Sequence, residues 1–376
     1  MSFLDKLLEG VEVEWKTLGE VAEIIRGVRV TKKDLLSDGK YPVVSGGTGY
    51  MGYVNEYNRD ENSITIAQYG TAGCVKWQTE KFWANDVAFT IFPIDENIFS
   101  KKYLYYFLIN KQEYLYSISN KTAVPFSISK EAILKLQIPV PCPNNPKKSL
   151  EIQQKIVGIL DTFTELTAEL TAELTAELTA RKQQYNYYRE QLLRFEEGEV
   201  ECKTFGEVIT LQRGRRLVKS QLEVTGEYAV YQNALTPLGY YHESNVKANT
   251  TFIICAGAAG EIGFSDVDYW AADDVHSCIT PDFINNRYLF HFLQTQKNKI
   301  SSQVRRASIP RLSKNVLEKL LFPIPSLEEQ ERIVSILDKF DVLTTSISEG
   351  LPKEIELRKK QYEYYRNQLL SFSASR

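Results

Sequence analysis

The chain has 376 residues, with 45 Lys and Arg against 48 Asp and Glu and a formal net charge of −3. That length allows two domains with full cores, and the even balance excludes a wholly basic nucleic-acid-binding protein, so any cationic face must be local. Cys74, Cys142, Cys202, Cys255 and Cys278 are odd in number and far apart, with no Cys-x-x-Cys pair to indicate a disulfide framework or a zinc site.

No signal peptide opens the chain and no long uncharged apolar run follows, so a soluble, cytoplasmic protein with no membrane segment is expected. Residues 1–10 carry a short amphipathic stretch, Phe3-Leu4 and Leu7-Leu8, like Leu192-Leu193-Arg194-Phe195 before Gly198. The chain thus starts where its own repeat would restart, which predicts Ser2 and Phe372 as neighbouring ends. From Glu12 a first globular half reads as short strands over 41–45, 63–68 and 87–92, then one amphipathic helix over 101–117. Ser129-Lys130 starts a closing helix, and Ile138-Pro139-Val140-Pro141 is a Pro-rich exit after which Ser149 is expected to cap the next element.

That element is one long helical pattern over 150–195. Thr-Ala-Glu-Leu is written three times in succession over 167–178, preceded by a partial copy at 164–166, and no Gly or Pro interrupts 165–196. Leu166, Leu170, Leu174 and Leu178 fall four apart, so each lies about 40° further around the helix than the last. The apolar stripe winds slowly and calls for a helical partner.

The second half repeats the first. Lys16-Thr17-Leu18-Gly19-Glu20-Val21 returns as Lys203-Thr204-Phe205-Gly206-Glu207-Val208 at an offset of 187, and the same offset relates Arg26-Gly27 to Arg213-Gly214, Gly70 and Gly73 to Gly257 and Gly260, and Trp83-Ala84 to Trp270-Ala271. Strands are predicted over 228–231, 251–255 and 277–281, a helix over 284–301, and a helix start at Ser313-Lys314. Phe322-Pro323-Ile324-Pro325 is the second exit, followed by a capping box at Ser326-Leu327-Glu328-Glu329. A second long helical stretch, 327–372, aligns with the first at an offset of 177. It matches Ile159-Leu160-Asp161 with Ile336-Leu337-Asp338 and Tyr187-Tyr188-Arg189 with Tyr364-Tyr365-Arg366. Its counterpart to the tetrapeptide run contains Ser348-Glu349-Gly350-Leu351-Pro352, where the helix should kink or break.

Catalytic chemistry is hard to find. Gly47-Thr48-Gly49-Tyr50-Met51-Gly52 fits a nucleotide-binding spacing, but Tyr53-Val54-Asn55-Glu56-Tyr57 after it does not read as a helix. His242, His276 and His291 occur only in the second half and belong to no motif; Asp86 and Asp273 recur after Trp-Ala and read as turn caps. No catalytic residue and no metal ligand is assigned.

Surface chemistry remains. Arg26, Arg29, Lys32 and Lys33 in the first half stand where Arg213, Arg215, Arg216 and Lys219 stand in the second. Arg305, Arg306 and Arg311 flank a loop to which the first half contributes Lys121, Thr122 and Ser127. Cations in two equivalent places suit phosphate contact, and Gln68, Tyr69, Gln232 and Asn233 nearby can reach base edges.

Two variable α/β halves, the Pro-x-Pro exit into Leu-Glu-x-Gln…Ile-Leu-Asp, the Gln-Tyr-x-Tyr-Tyr-Arg cluster and the tetrapeptide run together resemble the specificity subunit of type I restriction-modification enzymes, in its IC branch. The resemblance covers the whole chain. It implies an α/β fold with two similar mixed α/β target recognition domains, 1–148 and 197–325, separated by two long helices, 149–196 and 326–376, packed as a coiled-coil strut in a pseudo-two-fold repeat. Each domain would read one half of a split site in double-stranded DNA, the helices would space them and dock two methyltransferase subunits, and restriction/translocase subunits would join. S-adenosylmethionine, ATP and magnesium would serve those partners, with no cofactor in this chain. Phe163, Tyr185, Tyr188, Phe340, Tyr362 and Tyr365 are the expected partner surface, with a plain interhelical core as the competing reading. One tetrapeptide lengthens a helix by about 6 Å and turns it about 40°; one base pair advances duplex DNA by about 3.4 Å and roughly 35°. The resemblance implies that the number of repeats sets the gap between half-sites. The rotations nearly match and the rises do not, so such a strut would run obliquely to the DNA or its partner helix would absorb part of the change. An autonomous DNA-modifying enzyme and a coiled-coil scaffold without DNA are the alternatives.

Overall fold

The computed structural model describes residues 10–306, 308–346 and 349–372. The predicted pairing of Ser2 with Phe372 and the Phe3-Leu4 and Leu7-Leu8 stretch fall outside them, as does Ser348. The chain forms two compact units, Met1–Ala172 with Glu356–Arg376, and Glu173–Ile355.

In the first unit Ala22–Arg26, Ala88–Pro93, Ser63–Ala67 and Val75–Gln78 form an antiparallel sheet in that order, and Tyr50–Val54, Tyr41–Val44 and Trp83–Ala84 form a second, its last pair parallel. Ser63–Ala67 is buried along its whole length, as a strand covered on both faces must be. The second unit repeats both sheets with Thr210–Arg213, Val275–Ile279, Thr250–Ile254 and Ile262–Ser265, and with Gly239–Tyr241, Tyr228–Tyr231 and Tyr269–Ala271. The Pro-rich exits are strands: Gln137–Pro141 pairs antiparallel with Val13–Thr17, and Leu321–Ile324 with Glu201–Thr204. These are two-stranded edges, where a residue without an N–H is tolerated.

Three local expectations need correction. The single helices expected over 101–117 and 284–301 each split, into Lys101–Asn110 and Gln112–Ser117 and into Asn286–Thr295 and Lys297–Ser302, because the chain leaves regular helical geometry at Lys111 and Gln296. The central helix runs over Pro146–Leu192, starting ahead of Ser149. Asn145 caps it, its side chain accepting from the Lys148 N–H at 3.1 Å, and Pro146 occupies the first turn where its missing N–H costs nothing. Ser149 is buried and accepts from Gln153 instead. At Ser326 only half of the capping box forms: the serine accepts from the Glu329 N–H, but the Glu329 carboxylate turns to Arg332 at 2.6 and 2.7 Å.

The C-terminal helix breaks as its Gly and Pro foretell, into Leu327–Thr345 and Gly350–Leu369. Gly350 has φ +75°, and a Cβ there would meet Val342 O at 2.6 Å, so no other residue suits the turn. Within the first unit Phe163 stacks on Tyr365 at 5.5 Å and Thr164 bonds the Tyr362 hydroxyl at 2.9 Å, an antiparallel pairing of helices. Within the second, Phe340 stacks on both Tyr185 and Tyr188.

The leucine stripe is not covered as expected. Leu166 is 54 % exposed, Leu170, Leu174 and Leu178 are half-buried, and none joins the buried cores. A stripe that rotates about 40° per repeat leaves the fixed direction of a neighbouring helix within a few turns. Among the described residues no helix is long and apolar enough to cross a membrane.

The sequence motif Leu-Glu-x-Gln anchors each α/β half to its helix. Gln153 is fully buried, accepting from the Ser100 N–H at 3.0 Å and donating to Ile98 O at 2.8 Å. Gln330 does the same for the Asn285 N–H at 2.8 Å and Phe283 O at 3.0 Å, and also donates to Pro325 O. A glutamine amide can satisfy a donor and an acceptor of a neighbouring loop at once.

Candidate nucleic-acid interface

One end of each unit is built from loops tied backbone to backbone. In the first unit the loop after Arg26 returns to the strand Trp83–Ala84: the Val28 N–H donates to Ala84 O at 2.8 Å and the Trp83 indole donates back to Val28 O at 2.8 Å. In the second, the Arg215 N–H donates to Ala271 O at 2.9 Å and the Trp270 indole to Arg215 O at 3.0 Å. Gly27 and Gly214 make this approach possible. A Cβ on Gly27 would lie 2.2 Å from Asn85 O and one on Gly214 2.2 Å from Ala272 O.

The clamp fixes the cations. Arg26 Nε donates to Asp86 O at 2.5 Å and Arg213 Nε to Asp273 O at 3.0 Å, and both arginines remain exposed. Arg29, Lys32 and Lys33 follow on the same exposed loop, the lysines in the 3₁₀ turn Lys32–Asp34. Arg215, Arg216 and Lys219 are exposed at the equivalent place. Asp86 and Asp273 thus act through their carbonyls, not as caps: Asn85 caps the first turn, accepting from the N–H groups of Val30 and Asp86, and Asp273 Oδ1 is buried without a partner among the described residues.

Further loops join this end. Thr71 donates to Gly46 O and Gly70 to Phe126 O; Ala258 donates to Asn233 O and Gly257 to Pro310 O. So Gln68 and Tyr69 meet the loop carrying Lys121, Thr122 and Ser127, with Tyr69 bridged to Ser127. Arg305 and Arg311 pair through N–H to carbonyl bonds of 2.9 and 3.0 Å, and Arg311 also bridges to Ala256, with Arg306 exposed between them. Gln232 and Asn233 sit on the loop after Tyr228–Tyr231. Within each unit, then, the structure brings the predicted residues to one end. Reading by charge alone missed Trp83, Trp270, Gly27, Gly214 and Asn85; the recurrent Trp-Ala and Arg-Gly pairs were the signal that could have found the first four.

The decoys have other duties. The Gly47–Gly52 run leads into strand Tyr50–Val54, with no helix to meet a phosphate. His242 pairs with Glu223 at 2.6 Å, His276 with Cys255 at 3.1 Å, and fully buried His291 with Asp338 at 2.7 Å. Among the described residues no group of three or more His, Cys, Asp or Glu could hold a metal ion. Of the helical aromatics, Tyr185 is 7 % exposed and committed to the interhelical core, whereas Tyr188 and Tyr365 keep part of their rings in solvent.

Comparison with known proteins agrees with this arrangement. A family model described as the type I restriction modification DNA specificity domain matches twice, over residues 10–180 and 197–357. The chain is 37 % identical over 404 residues to the Type I restriction enzyme EcoR124I/EcoR124II specificity subunit of Escherichia coli, covering 99 % of this chain and 97 % of that protein. It is 36 % identical to a putative type I restriction enzyme specificity subunit of Haemophilus influenzae, covering 99 % of each. Its fold is similar to the crystal structure of a type I restriction-modification system S subunit from M. genitalium, with TM-score 0.57 and 19 % identity over 100 % of both chains. It is also similar to a chain from a structure concerned with complex assembly and conformational transition of the type I R-M system, with TM-score 0.67, 14 % identity and coverage of 95 % and 97 %. Two matched domains, a full-length relative and a shared fold converge: the chain belongs to the family of type I restriction-modification DNA specificity proteins.

Proposed function

We propose that this chain reads a split site in double-stranded DNA for a type I restriction-modification complex and performs none of the complex's chemistry. The observation that carries this reading is the clamp. The same indole and backbone bonds hold a cationic loop in both units, while the side chains displayed on it differ. One scaffold used twice with different surfaces is what recognition of two unlike half-sites requires. Lysine and arginine supply phosphate contact and its salt dependence; side chains at the loop end discriminate bases.

In this reading 1–148 and 197–325 are the recognition domains, and 149–196 and 326–376 space them and dock partners. Two methyltransferase subunits are favoured because the same aromatic surface occurs twice: Tyr187 against Tyr188 and Tyr364 against Tyr365 repeat as edge-on pairs at 5.5 Å. Tyr187 and Tyr364 are 60 % and 58 % exposed. The methyltransferases would use S-adenosylmethionine, and restriction/translocase subunits ATP and magnesium, in the cytoplasm.

The tetrapeptide run supports assigning the chain to the IC branch. Its leucines lie outside the buried cores, so adding or removing a copy costs little packing while changing length by about 6 Å and rotation by about 40°. The test is methyladenine mapping of the source genome with and without this gene. A split motif that vanishes on deletion supports the function; a methylome that ignores the deletion, together with no DNA binding by the reconstituted complex, overturns it. Deleting residues 171–174 should keep both half-sites and shorten the gap, and an unchanged gap rejects the ruler.

A further inference from the structure

Two positions occupy the same frame in the two units and carry different chemistry. The Gln68 N–H donates to Val87 O at 2.9 Å and its carbonyl accepts from the Ile128 N–H at 2.9 Å; the Cys255 N–H donates to Asp274 O at 2.7 Å and its carbonyl accepts from Leu312 at 2.9 Å. The neighbouring strand carries Phe89 in one unit and His276 in the other, and on its far side runs the arginine-bearing strand, with Arg26 opposite Phe89 and Arg213 opposite His276. Each position is followed by the residue that bridges to the tip loop, Tyr69 to Ser127 and Ala256 to Arg311.

The side chains diverge. Gln68 Oε1 is buried and has no hydrogen-bond partner among the described residues, a state that costs stability until a donor arrives. At the other position the Cys255 sulfur lies 3.1 Å from His276 Nδ1. Burial, helped by Asp274, pushes the Cys255 thiol up to about 12, so it keeps its proton at neutral pH; of the two acceptors within its reach, Ile253 O at 3.7 Å and His276 Nδ1 at 3.1 Å, Nδ1 is the nearer. The imidazole faces Arg213, Lys314 and Glu318; burial first, then the two cations, hold its pKa below the usual range. A neutral imidazole whose Nδ1 accepts carries its own proton on Nε2, which makes that nitrogen a donor.

We propose that Gln68 and the Cys255–His276 pair are equivalent base-reading positions of opposite polarity. Gln68 offers its unpartnered Oε1 to an exocyclic amino group as a base seats against it, adenine being the match because the same amide can donate to N7. His276 presents an N–H to an acceptor on a base edge, guanine O6 or N7 or thymine O4. Cys255 is a positioning residue that sets the tautomer. This inference rests on the DNA-reading function above.

The test coexpresses the full chain with its methyltransferase subunit and reads the methylated motif by single-molecule sequencing, for the wild type and for Gln68→Ala, Gln68→Glu and His276→Phe. No split motif from the wild type would overturn the DNA-reading function itself. Given a motif, Gln68→Ala should cost about 10- to 100-fold in discrimination at one position of one half-site, and His276→Phe the same at one position of the other, with the opposite half and the gap intact. Gln68→Glu keeps the shape but only accepts, so it should shift that position toward cytosine. An unchanged motif, relaxation in both halves at once, or loss of all methylation with both Gln68 substitutions overturns the proposal, the last by marking residue 68 as a structural prop.

Discussion

The two units solve one anchoring problem with different titratable groups. In the first, Asp161 of the central helix accepts from the Tyr106 hydroxyl at 2.5 Å and pairs with Lys102 at 3.0 Å. In the second, the equivalent Asp338 accepts from His291 Nε2 at 2.7 Å and from Arg287 at 2.8 Å, while His291 Nδ1 faces the Tyr185 hydroxyl at 3.4 Å. The carboxylate and its cation are kept and the group between them is exchanged. The difference teaches that the duplication preserved hydrogen-bond roles at the joint between domain and helix rather than residue types. Function then followed a parallel rule at the loop end, where the clamp is kept and the displayed side chains are exchanged.

The largest expected effect tests what is shared. Gly27→Val and Gly214→Val would each force a Cβ onto a carbonyl oxygen about 2.2 Å away, so each should destabilise its unit by about 4 kcal/mol or more and abolish reading of one half-site only. Thermal unfolding and half-site methylation read both effects, and equal losses in both halves from one substitution would break the equivalence. Next, Gln330→Ala strands the Asn285 N–H and the carbonyls of Phe283 and Pro325, for about 2–3 kcal/mol by denaturant unfolding; Gln153→Ala also releases three groups, but one is the rotatable Ser149 hydroxyl, so it should cost less. Phe340 stacks on two rings and Phe163 on one, so Phe340→Ala should exceed Phe163→Ala by about 0.5–1.5 kcal/mol. Equal costs would show that Tyr188 contributes nothing to the joint.

The smallest effect is a pH slope confined to the second unit. Burial first, with Arg287 adding, holds the His291 pKa below its ordinary value of 6.5 although Asp338 pulls upward. The unfolded chain therefore takes the proton first as pH falls. The stability conferred by the neutral imidazole is complete above about pH 6.5 and is lost below it. Tyr106, pushed upward by burial first and by its bond to Asp161, does not titrate in that window. His291→Tyr should reduce the slope between neutral and mildly acid pH in urea unfolding, leaving the share of His276, whose pKa burial also lowers; an undiminished slope would assign it wholly to other groups.

Much of this was legible in the sequence, for stated reasons. The helix break at Gly350 was visible because Gly and Pro act locally, and the duplication because Gly, Trp and Tyr landmarks keep their spacing. The purpose of those landmarks was not visible. Trp83 meets Val28 across a sequence separation of 55, and nothing local marks an indole as the lock of a cationic loop. The Tyr106 and His291 equivalence was hidden since the two residues share a role and not a chemistry. The cap at Asn145 was missed because Ser149 offers the same oxygen a turn later, and only its burial under the Gln153 amide shows it to be taken.

The two units can be completed during synthesis only in the reverse of their chain order. Leu369, Leu370 and Phe372 lie in the same buried core as Tyr103 and Leu160, whereas the second unit is the unbroken stretch Glu173–Ile355. The half translated first therefore waits for the residues translated last, and the later half can close before it. Until then the first core lacks three of its apolar side chains, so a nascent or truncated chain offers chaperones and proteases a sticky surface in its first unit, and the ribosome's progress past residue 372 becomes the checkpoint for a finished reader.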